Sequence, residues 1–201
     1  MKQVTIVGIA GLPRSGKDTL AEWFMADGYY GVSLGDIVRQ AAKQRHANKP
    51  DPISVANMTE TANHLRQQFG ADVVLKRAVE EYTKASKKSS YTGLVLYSVR
   101  TPTEVDFITK HNGRLIWVEA SDDIRYARAL EFSRAGEMKD IDMDTFLAHE
   151  KLQWRPKAGA PEEAQMNVAY VKQNATDIIE NSTDVATFEE RARKLMQYIA
   201  K

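Results

Sequence analysis

Short apolar runs alternate with longer amphipathic stretches along the chain. Val4 to Ile9 is apolar or β-branched at nearly every position. That pattern predicts a strand buried on both faces, as in the middle of a parallel sheet. From Thr19 to Ala26, Leu20, Trp23 and Phe24 fall on one helical face. Tyr29 to Ser33 reads as a second, short strand, and Asp36 to His46 as a second helix. Asn48-Lys49-Pro50-Asp51-Pro52 breaks the pattern. Beyond it Met58, Ala62, Leu65 and Phe69 recur at helical spacing, with Gly70 as the expected C-terminal cap. Another helix follows from Asp72 to Lys84, and the polar stretch from Lys84 to Gly93 reads as a solvated loop. Leu94 to Val99 predicts a strand, Thr103 to His111 a helix and Arg114 to Glu119 a strand. Asp122 to Ser133 is an arginine-rich helix, Gly136 to Asp144 an acidic linker and Thr145 to Trp154 a helix. After the loop from Arg155 to Pro161, Glu162 to Gln173 reads as a helix, Thr176 to Glu180 as the last strand and Asp184 to Ala200 as the last helix.

Strand and helix thus alternate about five times. This predicts an α/β fold with a parallel sheet, right-handed crossovers and helices on both faces. Ligands of such sheets sit at the carboxyl ends of the strands. At 201 residues the chain suits one domain, 1–201.

Charge and composition narrow the chemistry. Lys and Arg number 28 against 27 Asp and Glu, a net charge of +1, which excludes a strongly basic nucleic-acid-binding domain. There is no cysteine, so no disulfide framework, thiolate metal site or thiol nucleophile. The four histidines, His46, His64, His111 and His149, are scattered. Chemistry is therefore left to Lys, Arg, Asp and Glu. No apolar run reaches the length of a membrane span, so no membrane partner is expected. Lys2 ahead of an apolar segment looks like the start of a signal peptide, but that segment runs straight into a glycine loop without a cleavage pattern. The expectation is a cytoplasmic protein, monomer or homodimer.

The glycine loop is the strongest signal. Gly11-Leu12-Pro13-Arg14-Ser15-Gly16-Lys17-Asp18-Thr19 follows an apolar strand and opens a helix, the setting a phosphate-binding P-loop requires. Backbone N–H groups curl around phosphate oxygens, the helix N-terminus adds positive character, and Lys17 reaches the β and γ phosphates. Asp18 stands where Ser or Thr normally holds Mg2+, and a carboxylate can ligate that ion. Thr19 would contact the α phosphate. ATP and Mg2+ are the expected cofactors, with Asp18 as metal ligand.

With these residues in view, the sequence resembles the P-loop nucleoside monophosphate kinases and their relatives, including dephospho-CoA kinase and the phage-type deoxynucleoside monophosphate kinases. The resemblance implies a three-layer α/β/α fold with a five-stranded sheet in the order 2-3-1-4-5. It also implies a helical acceptor-binding insertion over 36–92 and a lid region over 122–160. Ser33-Leu34-Gly35-Asp36-Ile37-Val38-Arg39 is similar to the acceptor motif of adenylate kinases. There Arg39 would grip the acceptor phosphate with its planar fork, Gly35 would allow close approach and Asp36 would cap the helix. The family's third strand ends in Asp-Gly with an arginine shortly after. Here Tyr97 and Ser98 stand at the Asp and Gly positions, while Arg100 remains as a second clamp. Asp18 is expected to supply the missing negative charge.

Arg125 and Arg128 share a helical face, and the resemblance gives them, with Arg134, the role of lid arginines closing over the transferring phosphoryl group. Arg155 could reach in from its loop. Arg66, Lys76 and Arg77 read as surface charges and Trp154 as core, and the resemblance implies that the backbone of Asn181-Ser182-Thr183 lies near the donor adenine. Phosphoryl transfer from ATP to a nucleoside or deoxynucleoside monophosphate is the reaction implied. Lys17, Arg100, Arg125 and Arg128 would be catalytic, and Gly35, Asp36, Arg39 and Arg100 would bind the acceptor. A dephospho-CoA-type kinase differs only in acceptor. A nucleotide-binding ATPase or regulatory module without kinase activity is the alternative that Tyr97 favours.

Overall fold

Five strands form one parallel sheet in the order β2-β3-β1-β4-β5. The computed structural model describes residues 4–131, 142–154 and 165–200. The strands are β1 (Thr5–Gly11), β2 (Tyr30–Ser33), β3 (Gly93–Tyr97), β4 (Arg114–Glu119) and β5 (Asp177–Glu180). The helices are α1 (Lys17–Ala26), α2 (Leu34–Arg45), α3 (Val55–Phe69), α4 (Val73–Ser86), α5 (Pro102–Lys110), α6 (Asp122–Glu131), α7 (Met143–Trp154), α8 (Val168–Gln173) and α9 (Val185–Ile199). This is the α/β architecture and strand order expected from the sequence.

β1 lies at the centre because its residues tolerate burial on both faces: Val7, Ile9 and Ala10 are fully buried. It pairs Ile9 with Tyr97 of β3 and with Ile116 of β4. One face of the sheet packs on α1 and α9 through Leu20, Phe24, Phe188 and Met196. The other carries α2 to α5 and α8, through residues such as Val38, Leu65, Val74, Ile108 and Val171. Trp154 packs against this second core, as its place on an apolar stripe suggested. All strands run the same way, so the segments after Gly11, Ser33, Tyr97, Glu119 and Glu180 open on one edge.

Several element ends differ from the pattern-based expectation. α2 starts at Leu34, and its cap is Ser33, whose hydroxyl accepts from the Asp36 N–H at 3.1 Å. Asp36 therefore sits inside the first turn rather than capping it, where its charge still favours the helix N-terminus. α5 begins with a capping box: Thr101 Oγ1 accepts from the Glu104 N–H, and Glu104 reaches back to the Thr101 N–H. α8 is shorter than expected, because Asn167 caps it through the Tyr170 N–H. Positions 162–164 of the expected helix lie outside the described residues. Gly70 does end α3, donating its N–H to the Arg66 carbonyl at 3.0 Å. Arg114 grips Asp177 with two bonds, at 2.9 and 2.6 Å, tying β5 to β4.

Candidate active site

The loop between β1 and α1 is shaped by what holds its carbonyls. The Leu12 carbonyl accepts from the Ser15 N–H at 3.2 Å. Pro13 accepts from Arg125 Nη1 at 3.3 Å, Arg14 from Arg128 Nη1 at 3.2 Å and Ser15 from Asn181 Nδ2 at 2.7 Å. The Gly16 carbonyl takes the Leu20 N–H at 3.0 Å. A trans peptide points its N–H opposite its C=O. The N–H groups of Arg14, Gly16 and Lys17 are therefore turned away from these anchors, toward the concave side of the loop. Gly16 adopts φ +97°, and a Cβ there would come within 2.2 Å of Asn181 Nδ2. A Cβ on Gly11 would strike the Val118 carbonyl at 2.7 Å. Both glycines are thus demanded by this packing. Ser15 is fully buried, and its hydroxyl, turned toward Gly11, has no hydrogen-bond partner.

In this geometry Arg125 and Arg128, the expected lid arginines, bond the loop itself. Arg125 is 1% exposed. It donates to the Pro13 and Ala120 carbonyls, to Asp122 at 2.5 Å and to the buried Glu150 of α7. Burial opposes its charge, but the bonds to Glu150 and Asp122 prevail and hold its pKa above the usual arginine value. Arg128 bonds the carbonyls of Arg14 and Asn181, and burial lowers its pKa. The shared face is real, but it meets loop carbonyls. Asn181 likewise acts through its side chain, not only its backbone. Arg134 and Arg155 lie outside the described residues.

Lys17 is buried among these groups. Glu150 lies close enough to Lys17 for that charge to pull its pKa down, but burial dominates and raises it overall, with Arg125 and Lys17 opposing and Asp122 reinforcing the rise.

A second positive group gathers at the end of β3. Arg39, on α2, is half-exposed and donates Nε to Asp36 at 3.2 Å. Arg100 has its pKa lowered by burial. Glu104 and Asp18 push it back up, while the charges of Arg39 and Arg66 push it down. Arg39, Arg66 and Arg100 thus share one neighbourhood. Arg66 departs from its expected place at the surface: it is 8% exposed, and its Nη2 lies 3.8 Å from Glu104. Lys76, by contrast, is exposed and pairs with Asp72. At Gly35 a Cβ would meet only ordinary contacts, the nearest being Ser98 at 3.6 Å. The protein itself does not require glycine there.

Tyr97 occupies the end of β3 with Ser33, Asp36 and Asp18 around its phenol. Burial, then the charges of Asp36 and Asp18, raise its pKa. Ser98, where the resemblance implies glycine, keeps a left-handed backbone at φ 64°. That conformation strains a residue with a Cβ, and such strain concentrates at functional sites. For a metal, Asp18 is the available acid: among the described residues no group of three or more His, Asp or Glu side chains could hold an ion. One carboxylate is compatible with Mg2+ that keeps phosphate oxygens and water as its other ligands.

No family model matches the chain. The UPF0200/UPF0201 protein of Archaeoglobus fulgidus is 25% identical over 202 residues, covering 99% of this chain and 57% of its own length. The UPF0200 protein of Pyrobaculum aerophilum is 32% identical over 127 residues, covering 62% of this chain and 64% of its own. The chain therefore spans less than two thirds of either relative. Among solved structures, a Thermus thermophilus protein superposes with a TM-score of 0.62 at 21% identity, covering 98% of both chains. Shikimate kinase from Bacteroides thetaiotaomicron gives 0.54 at 13% identity over 98% of this chain and 99% of that one. The fold is that of the P-loop kinases. Dephospho-CoA kinase from Campylobacter jejuni shares it at a TM-score of 0.50 and 12% identity, over 97% of each chain. No helix among the described residues is long and apolar enough to cross a membrane.

Proposed function

We propose that the protein transfers the γ-phosphoryl group of ATP to a small phosphorylated acceptor, a nucleoside or deoxynucleoside monophosphate. One observation carries this reading: the phosphate-type loop and the arginine group are neighbours. β1 pairs with β3 through Ile9 and Tyr97, and the Val99 N–H donates to the Ile9 carbonyl at 3.3 Å, so the loop after Gly11 adjoins the segment that bears Arg100. Asp18, in the first turn of α1, bears electrostatically on both Tyr97 and Arg100. A donor cradle beside an acceptor clamp is the arrangement phosphoryl transfer needs, since catalysis there is mostly alignment and charge.

In this reading the N–H groups of the loop, with Lys17 and Thr19, hold the triphosphate. Arg39 and Arg100 orient the acceptor oxygen in line with the γ phosphate. Gly35 leaves room beside them for the acceptor. Asp18 and the phosphates would hold Mg2+, which when bound neutralises charge on the β and γ oxygens. Arg125, Arg128 and Asn181 keep the cradle open by fixing its carbonyls outward. Arg125 and Arg128 are therefore positioning residues here, with the charge at the γ phosphate supplied chiefly by Lys17.

Tyr97 supports a second reading, because β3 ends without the acid that commonly assists the metal. An ATPase or regulatory module would then use the same cradle without an acceptor. A coupled ADP-release assay separates the two. ATP and Mg2+ are incubated with ribo- and deoxyribonucleoside monophosphates and with dephospho-CoA. The kinase releases ADP only with an acceptor, and Lys17→Ala lowers that rate by a hundredfold or more, on the order of 3 kcal/mol. ADP release from ATP alone, unchanged by every acceptor, would establish the ATPase. Wild-type turnover in Lys17→Ala would remove the loop from the chemistry.

A further inference from the structure

Arg66 is the residue whose surroundings in this chain do not account for it. It comes from α3, the element after the one that carries Arg39 and one strand before Arg100, and it is more than nine-tenths buried. Its Nε is buried without a hydrogen-bond partner among the described residues. Its ion-pair partner is Glu104, at 3.8 Å, beyond hydrogen-bond length. Glu104 turns only its Oε1 toward Arg66. Its Oε2 accepts from the Arg100 N–H at 2.6 Å and from the Thr101 N–H at 3.1 Å, closing the capping box of α5. A guanidinium is a five-donor fork that stays charged in proteins. Burying one with an orphaned N–H and a distant counter-charge is costly unless a further acceptor arrives. Lys76 and Arg77 on the next helix carry no such burden. Lys76 is exposed and salt-bridged, and Arg77 is half-exposed.

The charges around Arg66 say what that acceptor is. Glu104 joins the Arg66 side chain to the Arg100 backbone, α2 with Arg39 packs on α3, and Arg100 feels the positive fields of both Arg39 and Arg66, so the three arginines are neighbours. Two carboxylates nearby have other contacts: Asp36 pairs with Arg39, and Glu104 Oε2 holds the start of α5. Three forks match three terminal oxygens. A phosphate monoester offers three, a diester or a carboxylate only two.

We infer that Arg66 is a third arginine of the acceptor site, and that the site selects a dianionic phosphate monoester over a carboxylate, a phosphodiester or an uncharged alcohol. The inference rests on the kinase reading for the place of the site, though not for its chemistry. Glu104 is a positioning residue in it. By accepting from the Arg100 N–H and facing Arg66, it ties the two arginines to one point.

The test uses the full chain saturated with the non-hydrolysable analogue AMP-PNP and Mg2+, so that the loop cannot bind added phosphate. Nucleoside 5′-monophosphates are then titrated calorimetrically into wild type, Arg66→Gln and Arg66→Lys. The matching nucleosides, a methyl phosphodiester and shikimate serve as controls. The expected result is binding of at least one monophosphate and of none of the controls. Arg66→Gln should weaken that binding by about tenfold or more, Arg66→Lys should restore part of it, and AMP-PNP affinity should stay unchanged in both. The unchanged AMP-PNP affinity also shows that the variants are folded. Equal monophosphate affinity in wild type and Arg66→Gln overturns the inference and leaves the kinase reading intact. So does equal binding of the carboxylate or the diester. Arg66-dependent monophosphate binding without any ADP release from ATP upholds the inference and sinks the kinase reading instead.

Discussion

The two sides of the cleft use arginine in opposite ways. On the proposed donor side Arg125 and Arg128 bond the carbonyls of Pro13, Arg14, Ala120 and Asn181, and Arg125 also bonds Glu150 and Asp122, so the N–H groups of Arg14 and Gly16 are left to the loop's other side. In the proposed reading the positive surface there is backbone together with Lys17, and Arg125 and Arg128 behind it are struts. On the acceptor side no loop of N–H groups is built. Arg39, Arg66 and Arg100 come from three separate segments, and in the proposed reading their guanidinia form the binding surface. The difference fits the two ligands. A triphosphate is long and can be wrapped by a curled backbone whose dipoles sum. A single phosphate is compact and is better gripped by a few forked side chains. Removing an arginine should therefore damage stability on one side and binding on the other.

The sharpest test of this contrast is Arg125→Ala. It leaves Glu150 buried without its partner and frees the Pro13 carbonyl, and breaking such a pair costs about 3–5 kcal/mol. The expected outcome is a large fall in urea midpoint and Tm. A variant that keeps its Tm and loses only kcat would return Arg125 to the lid. The next effect in size is on the other side. Arg39→Ala removes a half-exposed guanidinium whose internal contact is a single local pair with Asp36. Its acceptor KM should rise about thirtyfold, about 2 kcal/mol, with ATP KM and Tm close to wild type. A change confined to ATP KM would reverse the allocation of the two sides.

The smallest expected effect concerns pH. Burial raises the Glu150 pKa above its usual 4.5 even though Arg125 and Lys17 oppose the rise. In the window just above that value the folded state holds a proton the unfolded state has lost. The stability due to this group is therefore full below the usual value and declines as pH rises through the raised one. Glu150→Gln cannot titrate. Its Tm relative to wild type should shift in its favour as pH climbs through that window, by a few degrees at most. A constant difference across the range would mean that Arg125 fully compensates the burial of Glu150.

Much of the fold was legible because its signals are local. A strand apolar on both faces must be central, a glycine loop between strand and helix has one common use, and Gly70 ends a helix because its neighbours stop being periodic. The errors at element ends have local causes too. Ser33 and Asp36 are both competent caps, and the hydroxyl one turn earlier won. The Thr101-Pro102-Thr103-Glu104 run carried a capping-box signature that places Glu104 at the start of α5, and with it the neighbour of Arg66. That signal was available in the sequence. The burial of Arg66 was less so, since its position on α3 beside Leu65 is equally consistent with a surface charge at the edge of an apolar stripe.

What the sequence determined by itself was the order of strands and helices, the glycines at 11 and 16, the lysine that follows, and the presence of arginines at 39, 66, 100, 125 and 128. Helical spacing correctly put Arg125 and Arg128 on one face. What that face meets was decided only by the tertiary structure, where Arg125 reaches across 112 positions to Pro13 and Arg128 across 114 to Arg14. The physical reason is general. Periodicity is written by neighbours a turn apart, whereas the partner of a long, charged side chain is whichever acceptor the packing of distant elements leaves unsatisfied. On one side of this cleft those acceptors belong to the chain itself; on the other, Arg66 still has a buried donor without one.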